Sequence, residues 1–193
     1  GYNYGDSKLE AEIRLRAFNS SDLDVVFINP GFMVGPYDYT LQIGRVFFDL
    51  AKGKLPACPP GGGSFCHVRE VAKAHIAAVT HGRAGENYLC AGMEETNISY
   101  VDMFGRMAQA INAKPVRLVM PKKLFVLYGY ACEWLASFTK KPPEMNPGQA
   151  RYMSAPQYAI SGKAINELGY KVPSVESCIE DALTWYRGEG YKI

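Results

Sequence analysis

The sequence predicts an α/β fold in which at least part of the sheet is parallel, and three observations carry that expectation. Short apolar runs rich in β-branched residues alternate with stretches of helical periodicity. The run "DLDVVFINPG" (22–31) is apolar on both faces before it stops at Pro30–Gly31, the profile of a strand covered on both sides. The chain of 193 residues, 48% hydrophobic and 21% charged, is large and apolar enough to bury a core of its own.

Taken in order, residues 5–19 form a helix with two apolar stripes, Leu9/Ile13/Ala17 and Ala11/Leu15/Phe18, which predict burial on more than one side. After the 22–31 strand a helix is expected over 41–52, then a Pro/Gly-rich loop, "KLPACPPGGG" (54–63). "SFCHV" is a short strand, and "REVAKAHIAAVTH" a helix with Val71, Ala74, His75 and Ala78 on one face. "ENYLCAG" is a strand, "ISYVDMFGRMAQAINA" a helix, and "PVRLVM" (115–120) a further strand. Beyond Pro121 the organisation changes. A long apolar helix over 122–139 leads through the turn-rich "KKPPEMNPGQARYM" to a short helix. "QYAIS" is a short strand, "GKAINELGY" a helix closed by Gly169, and Pro173–Ser174 open the last helix, whose Val175, Ile179, Ala182, Leu183 and Tyr186 share a face.

Composition excludes several classes. A net charge of +2 with no basic block longer than two residues gives no electrostatic reason to expect nucleic acid as a partner. Five scattered cysteines without a C-x-x-C pair fit reduced thiols in a cytoplasmic setting rather than a disulfide framework or a zinc site. His67, His75 and His81 match no metal-ligand spacing, so no metal is expected and a structural role is assigned to each. The run from Leu124 to Phe138 contains Glu133 and is short for a membrane span. A buried or lid helix with lysines at its ends (Lys122–Lys123, Lys140–Lys141) is the expected reading, and a helix lying on a membrane surface is the alternative.

Tyr4 and Lys8 stand four residues apart at the start of the first helix, on one face. A phenol with an ordinary pKa near ~10 exchanges protons poorly at neutral pH, and an adjacent ammonium favours its phenolate form. With thirteen Tyr and twelve Lys the spacing alone carries little weight. Its context carries more, because the helix runs directly into a strand ending in "NPGFMVGP", and ligands of open α/β sheets bind beyond the carboxyl ends of strands.

Four blocks in order, Tyr4-x-x-x-Lys8 with Ser7 and "EAE" after it, "NPGFMVGP", "GGGSFCHVREVAKAHIAAV" and "GENYLCAG", resemble the extended short-chain dehydrogenases/reductases. Within them the chain is most similar to the dihydroflavonol-reductase-like members of the NAD-dependent epimerase/dehydratase group, a likeness that continues through "KAINELGY" and the final helix with Trp185. The resemblance implies the carboxyl-terminal part of a Rossmann-type doubly wound parallel sheet plus a small, mostly helical substrate-binding lobe. Residues 1–120 would hold the sheet part with interleaved lobe segments, and 121–193 mainly the lobe and the closing helix.

It further implies an NAD(P)-dependent oxidoreductase that reduces a carbonyl or oxidises an alcohol of a small-molecule substrate, NAD or NADP being undecided. Tyr4 would be the general acid/base, and Lys8 would activate it and hold the nicotinamide ribose. Pro30, Gly31, Phe32 and Met33 would line the nicotinamide, with core packing as the alternative role of Phe32 and Met33. The family's glycine-rich phosphate turn and its catalytic Ser or Thr precede the tyrosine, so the resemblance implies an amino-terminal half or a companion chain that carries them; Gly61–Gly63 do not replace that turn. Ser64 stands where nucleotide-sugar relatives carry a basic residue, and Glu70 where an Asp is usual, for which a capping role is expected. Phe125, Tyr128, Tyr130, Trp134 and Phe138 suit a hydrophobic substrate. A nucleotide-sugar epimerase/dehydratase and a non-catalytic interaction module are the alternatives, and a homodimer through the tyrosine-bearing helix is expected.

Overall fold

One extended segment, residues 27–34, serves two sheets. In the computed structural model, which describes residues 3–20, 22–139 and 142–193, strand β1 (Phe27–Pro30) pairs in parallel with β4 (Asn87–Cys90), Phe27 opposite Asn87. One residue later β2 (Phe32–Val34) pairs in parallel with β3 (Gly62–His67), Phe32 opposite Phe65. The chain changes sheet at Gly31, where a Cβ would lie 2.6 Å from the Ser64 carbonyl oxygen and 3.0 Å from the Ala91 Cβ, so only glycine lets the strands approach. β3 also carries β5 (Asn97–Ser99) antiparallel and β6 (Pro156–Gln157) parallel along its first residues.

β3 is buried along its whole length, and its alternating side chains feed two cores. Phe65 joins Val34 under α2 (Arg45–Ala51), α4 (Tyr100–Ala110) and α8 (Val175–Gly188), where Phe47, Met103, Met107, Ile179 and Tyr186 are buried. Cys66 points the other way, into Val71 and Ala74 of α3 (Val68–His81), Ala164 and Leu168 of α7 (Gly162–Leu168), and Tyr88 of β4. Helices therefore cover both faces of a mainly parallel sheet, as its apolar strands require. Of the segment after residue 121, α7 and α8 belong to these layers; α5 (Lys122–Thr139) and α6 (Pro147–Tyr152) pack on each other.

Several elements differ from the sequence expectation. The 22–31 strand begins only at Phe27. The 41–52 helix starts at Arg45, because Leu41 sits at φ 51°, outside helical geometry. The helix expected from Ile98 starts at Tyr100, since Asn97–Ser99 pair with β3 and Ser99 caps the helix by accepting from the Asp102 N–H at 3.1 Å. Gly62 and Gly63 are strand rather than loop, and their missing side chains admit neighbours: a Cβ at Gly63 would stand 2.4 Å from the Phe32 ring. "PVRLVM" makes a single bridge, Val119 to Cys58, because Pro56 and Pro59 flank Cys58 and neither can donate to a longer ladder.

The helix bearing Tyr4 and Lys8, α1 (Asn3–Arg16), is not buried on two sides: Leu9, Ile13, Leu15 and Phe18 are all exposed among the described residues. α1 is tied down at its last turn instead. Arg16 donates to the Gly85 carbonyl at 2.6 Å and to Asn87 at 2.7 Å, and its guanidinium lies over the Phe27 ring.

Candidate active site

Tyr4 and Lys8 lie one helical turn apart, as an α-helix places residues four apart. The Lys8 ammonium stands 5.5 Å from the centroid of the Tyr4 ring. Ser7, between them in sequence, turns its hydroxyl back to the Tyr4 carbonyl at 2.8 Å and so serves the helix backbone. Tyr4 is 61% exposed and lines the mouth of a cleft of about 1390 Å³.

The floor of that cleft is the carboxyl end of β1 and its continuation into β2. Asn29, Pro30, Gly31, Phe32 and Met33 all line it. Every sequence-predicted site residue except Lys8 thus borders one cavity, and Lys8 sits behind Tyr4 against the ring. Phe32 is both wall and core: its ring packs 5.7 Å from Phe65 and edge-on to Tyr100 at 5.9 Å. Met33 is 45% exposed, so it is a surface of the cleft rather than packing. Gly31 is small because of Ser64 and Ala91 behind it.

Of the opposite wall the sequence singles out only Tyr130; Phe125, Tyr128, Trp134 and Phe138, singled out with it, do not line this cleft. The wall comes from α5, α6 and the strand that follows, through Tyr130, Glu133, Arg151, Tyr152 and Tyr158. Arg151 hydrogen-bonds the Tyr130 hydroxyl, and its guanidinium lies 5.6 Å from that ring's centroid. These residues share no local motif; only the docking of α6 on α5 brings them to β1. Gln149, also on this wall, completes a capping box with Asn146, which fixes where α6 starts.

Ser64 is buried beside the cleft and accepts the Ala159 N–H at 2.7 Å while contacting Asn97, so it ties β6's continuation to β5. His67 caps α3: its Nδ1 accepts from the Arg69 N–H at 3.1 Å, which leaves Nε2–H to donate to Asp181 at 3.1 Å. Glu70 is not the cap; it pairs with Lys73 at 2.6 Å. His75 and His81 hydrogen-bond carbonyls one turn back in α3. No group of three or more His, Cys, Asp or Glu side chains could hold a metal ion among the described residues.

The residues present fit the nicotinamide end of a dinucleotide. Backbone and apolar side chains of 30–33 offer a wall for a flat ring, and Tyr4 borders the same cleft with the Lys8 ammonium over its ring.

Comparison with known proteins bears on the fold as a whole. Residues 2–91 match the model of the NAD dependent epimerase/dehydratase family. The chain is 28% identical over 172 residues to sterol demethylase protein B of Methylococcus capsulatus, covering 87% of this chain and 51% of that protein. It is 23% identical to a protein provisionally assigned as a dihydroflavonol 4-reductase in Synechocystis, covering 97% of this chain and 55% of that one. The crystal structure of gox2253 superposes with a TM-score of 0.77 at 30% identity, over 98% of this chain and 57% of the other. A dTDP-glucose 4,6-dehydratase of Bacillus anthracis in complex with NAD shares the fold at TM-score 0.66 and 18% identity, over 97% and 53% of the two chains. The chain spans about half the length of the curated relatives it matches.

Proposed function

We propose that this chain, whose residues 2–91 belong to the NAD dependent epimerase/dehydratase family, carries the proton-transfer side of an NAD(P)-dependent oxidoreductase acting on a lipophilic carbonyl or alcohol. The observation that carries the reading is the shared cleft: Tyr4 at its mouth, with Lys8 against the ring, and the carboxyl end of a parallel strand as its floor. The cofactor is NAD or NADP, which when bound supplies hydride to a carbonyl carbon or takes it from an alcohol. Tyr4 gives its hydroxyl proton to the carbonyl oxygen as that oxygen gains charge, and takes the proton back in the oxidative direction. Lys8 stabilises the phenolate left behind and offers N–H donors to ribose hydroxyls. Phe32, Met33, Tyr130, Tyr152 and Tyr158 give the substrate an apolar and aromatic enclosure.

A second reading, a nucleotide-sugar epimerase or dehydratase, has one observation in its favour. Arg151 on the cleft wall makes no ion pair with a described residue and could meet a diphosphate. Turnover separates the two. With the intact protein, the first reading expects net consumption of NADH or NADPH with lipophilic ketones or aldehydes and none with nucleotide sugars. Conversion of a nucleotide sugar without net cofactor consumption would establish the second reading in its place.

A further inference from the structure

We infer that the outer side of α5 docks on an anionic lipid surface. The helix has three sides. Phe125 and Gly129 are buried toward α6, and Tyr130 and Glu133 face the cleft. The third side carries Leu124, Leu127, Ala131, Trp134, Leu135 and Phe138, spaced by three and four residues and all exposed. That stripe runs roughly 20 Å at ~1.5 Å per residue. At its start it opens into a wholly apolar groove of about 560 Å³, shared with Ala57, Leu118, Met120 and Pro121.

Charge decides what covers it. Lys114, Arg117, Lys122 and Lys123 are exposed around the amino end of α5, and none pairs with an acid among the described residues. In the sequence Lys140 and Lys141 follow the carboxyl end, although they lie outside the described residues. The one carboxylate of the helix, Glu133, points to the cleft. A second copy seated in parallel on the stripe would bring the cations at the amino end of one helix against those of the other, and the stripe itself carries no carboxylate to pair with them. An anionic membrane surface complements both features: head groups meet the cations, and acyl chains meet leucine, tryptophan and phenylalanine. No helix among the described residues is long and apolar enough to cross a membrane, so the contact is one of lying on the surface. This docking rests on α5 alone and stands apart from the redox reading.

Cosedimentation of the intact protein with vesicles tests it. Vesicles of phosphatidylcholine with phosphatidylserine should retain the protein and release it as salt rises, while phosphatidylcholine alone retains little. Lys122→Gln/Lys123→Gln should weaken retention about fivefold per lysine. Leu127→Ser/Trp134→Ser, at exposed positions that leave the fold intact, should abolish it, and Tyr4→Phe should not change it. Absence of retention on anionic vesicles overturns the inference. So does retention that ignores the lysine substitutions, or a concentration-dependent dimer in sedimentation velocity that Leu127→Ser/Trp134→Ser dissolves.

Discussion

Tyr186 shows how a single side chain ties the last helix to the loop after β2. Its hydroxyl donates to Asp38 at 2.9 Å, and the same carboxylate oxygen accepts the Gly44 N–H at 2.9 Å. Burial and the neighbouring carboxylate push its phenol up. Tyr186→Phe should cost about 1.5–3 kcal/mol, the range for a hydrogen bond to a charged group, read as a lower urea midpoint at unchanged slope. The thiols give a second test. Burial pushes Cys58 and Cys90 up to about 11 and Cys66 and Cys178 up to about 12. A thiol-specific reagent at neutral pH should therefore label Cys132 alone in the folded chain, and the other four only after unfolding. At this scale the sequence was readable where chemistry is local. Tyr4 and residues 30–33 are read from a motif and a strand end, and the fold brings them to one cleft. Arg151 and Tyr158 are not, because nothing near them in sequence records that α6 folds back on α5.

The elements around β4 are joined by carboxylates. Glu167 of α7 accepts from the buried Tyr88 hydroxyl at 2.6 Å and from Arg83 at 2.8 and 3.0 Å. Those hydrogen bonds, Tyr88 first and then Arg83, hold it below the ordinary carboxylate value of 4.5. Lys163 does the same for Glu86, and Asn87 with Arg16 for Glu12 at the foot of α1. A carboxylate depressed in the folded state adds stability that is complete above its unfolded value and is lost as pH falls through the lower, folded value. Thermal stability should therefore stay level from neutral pH down to about the unfolded carboxylate value and fall in stronger acid. Glu167→Gln should flatten that acid limb, as followed by circular dichroism. Packing offers the complementary test. A Cβ at Gly63 would enter the Phe32 ring, so Gly63→Ala should cost about 1–3 kcal/mol through overpacking and disturb the cleft floor. Strand and helix types were mostly legible from periodicity, but the strand expected over 115–120 forms only the one bridge from Val119 to Cys58. An apolar run can be read in sequence, whereas the prolines beside its bridge partner, Cys58, cannot be paired with it until the chain is folded.

On the scale of the molecule, helices on both faces of a mainly parallel sheet leave one cleft at the carboxyl ends of β1 and β2. The alternation of apolar runs with helical periods was enough to expect an α/β fold with some parallel sheet, and the family resemblance supplied the doubly wound arrangement. The exposure of α1's two apolar stripes was not predictable, because amphipathic stripes state that a helix can be covered and not by what. Proton transfer from Tyr4 is the claim on which the functional account stands, and Tyr4→Phe in the intact protein tests it most directly. Removing one hydroxyl from a residue that is 61% exposed leaves the fold untouched. NAD(P)H-dependent carbonyl reduction should lose about 10²- to 10⁴-fold in kcat, the usual share of a general acid, while dinucleotide affinity by nicotinamide fluorescence stays within about twofold. A kcat equal to that of the unsubstituted protein would contradict the account.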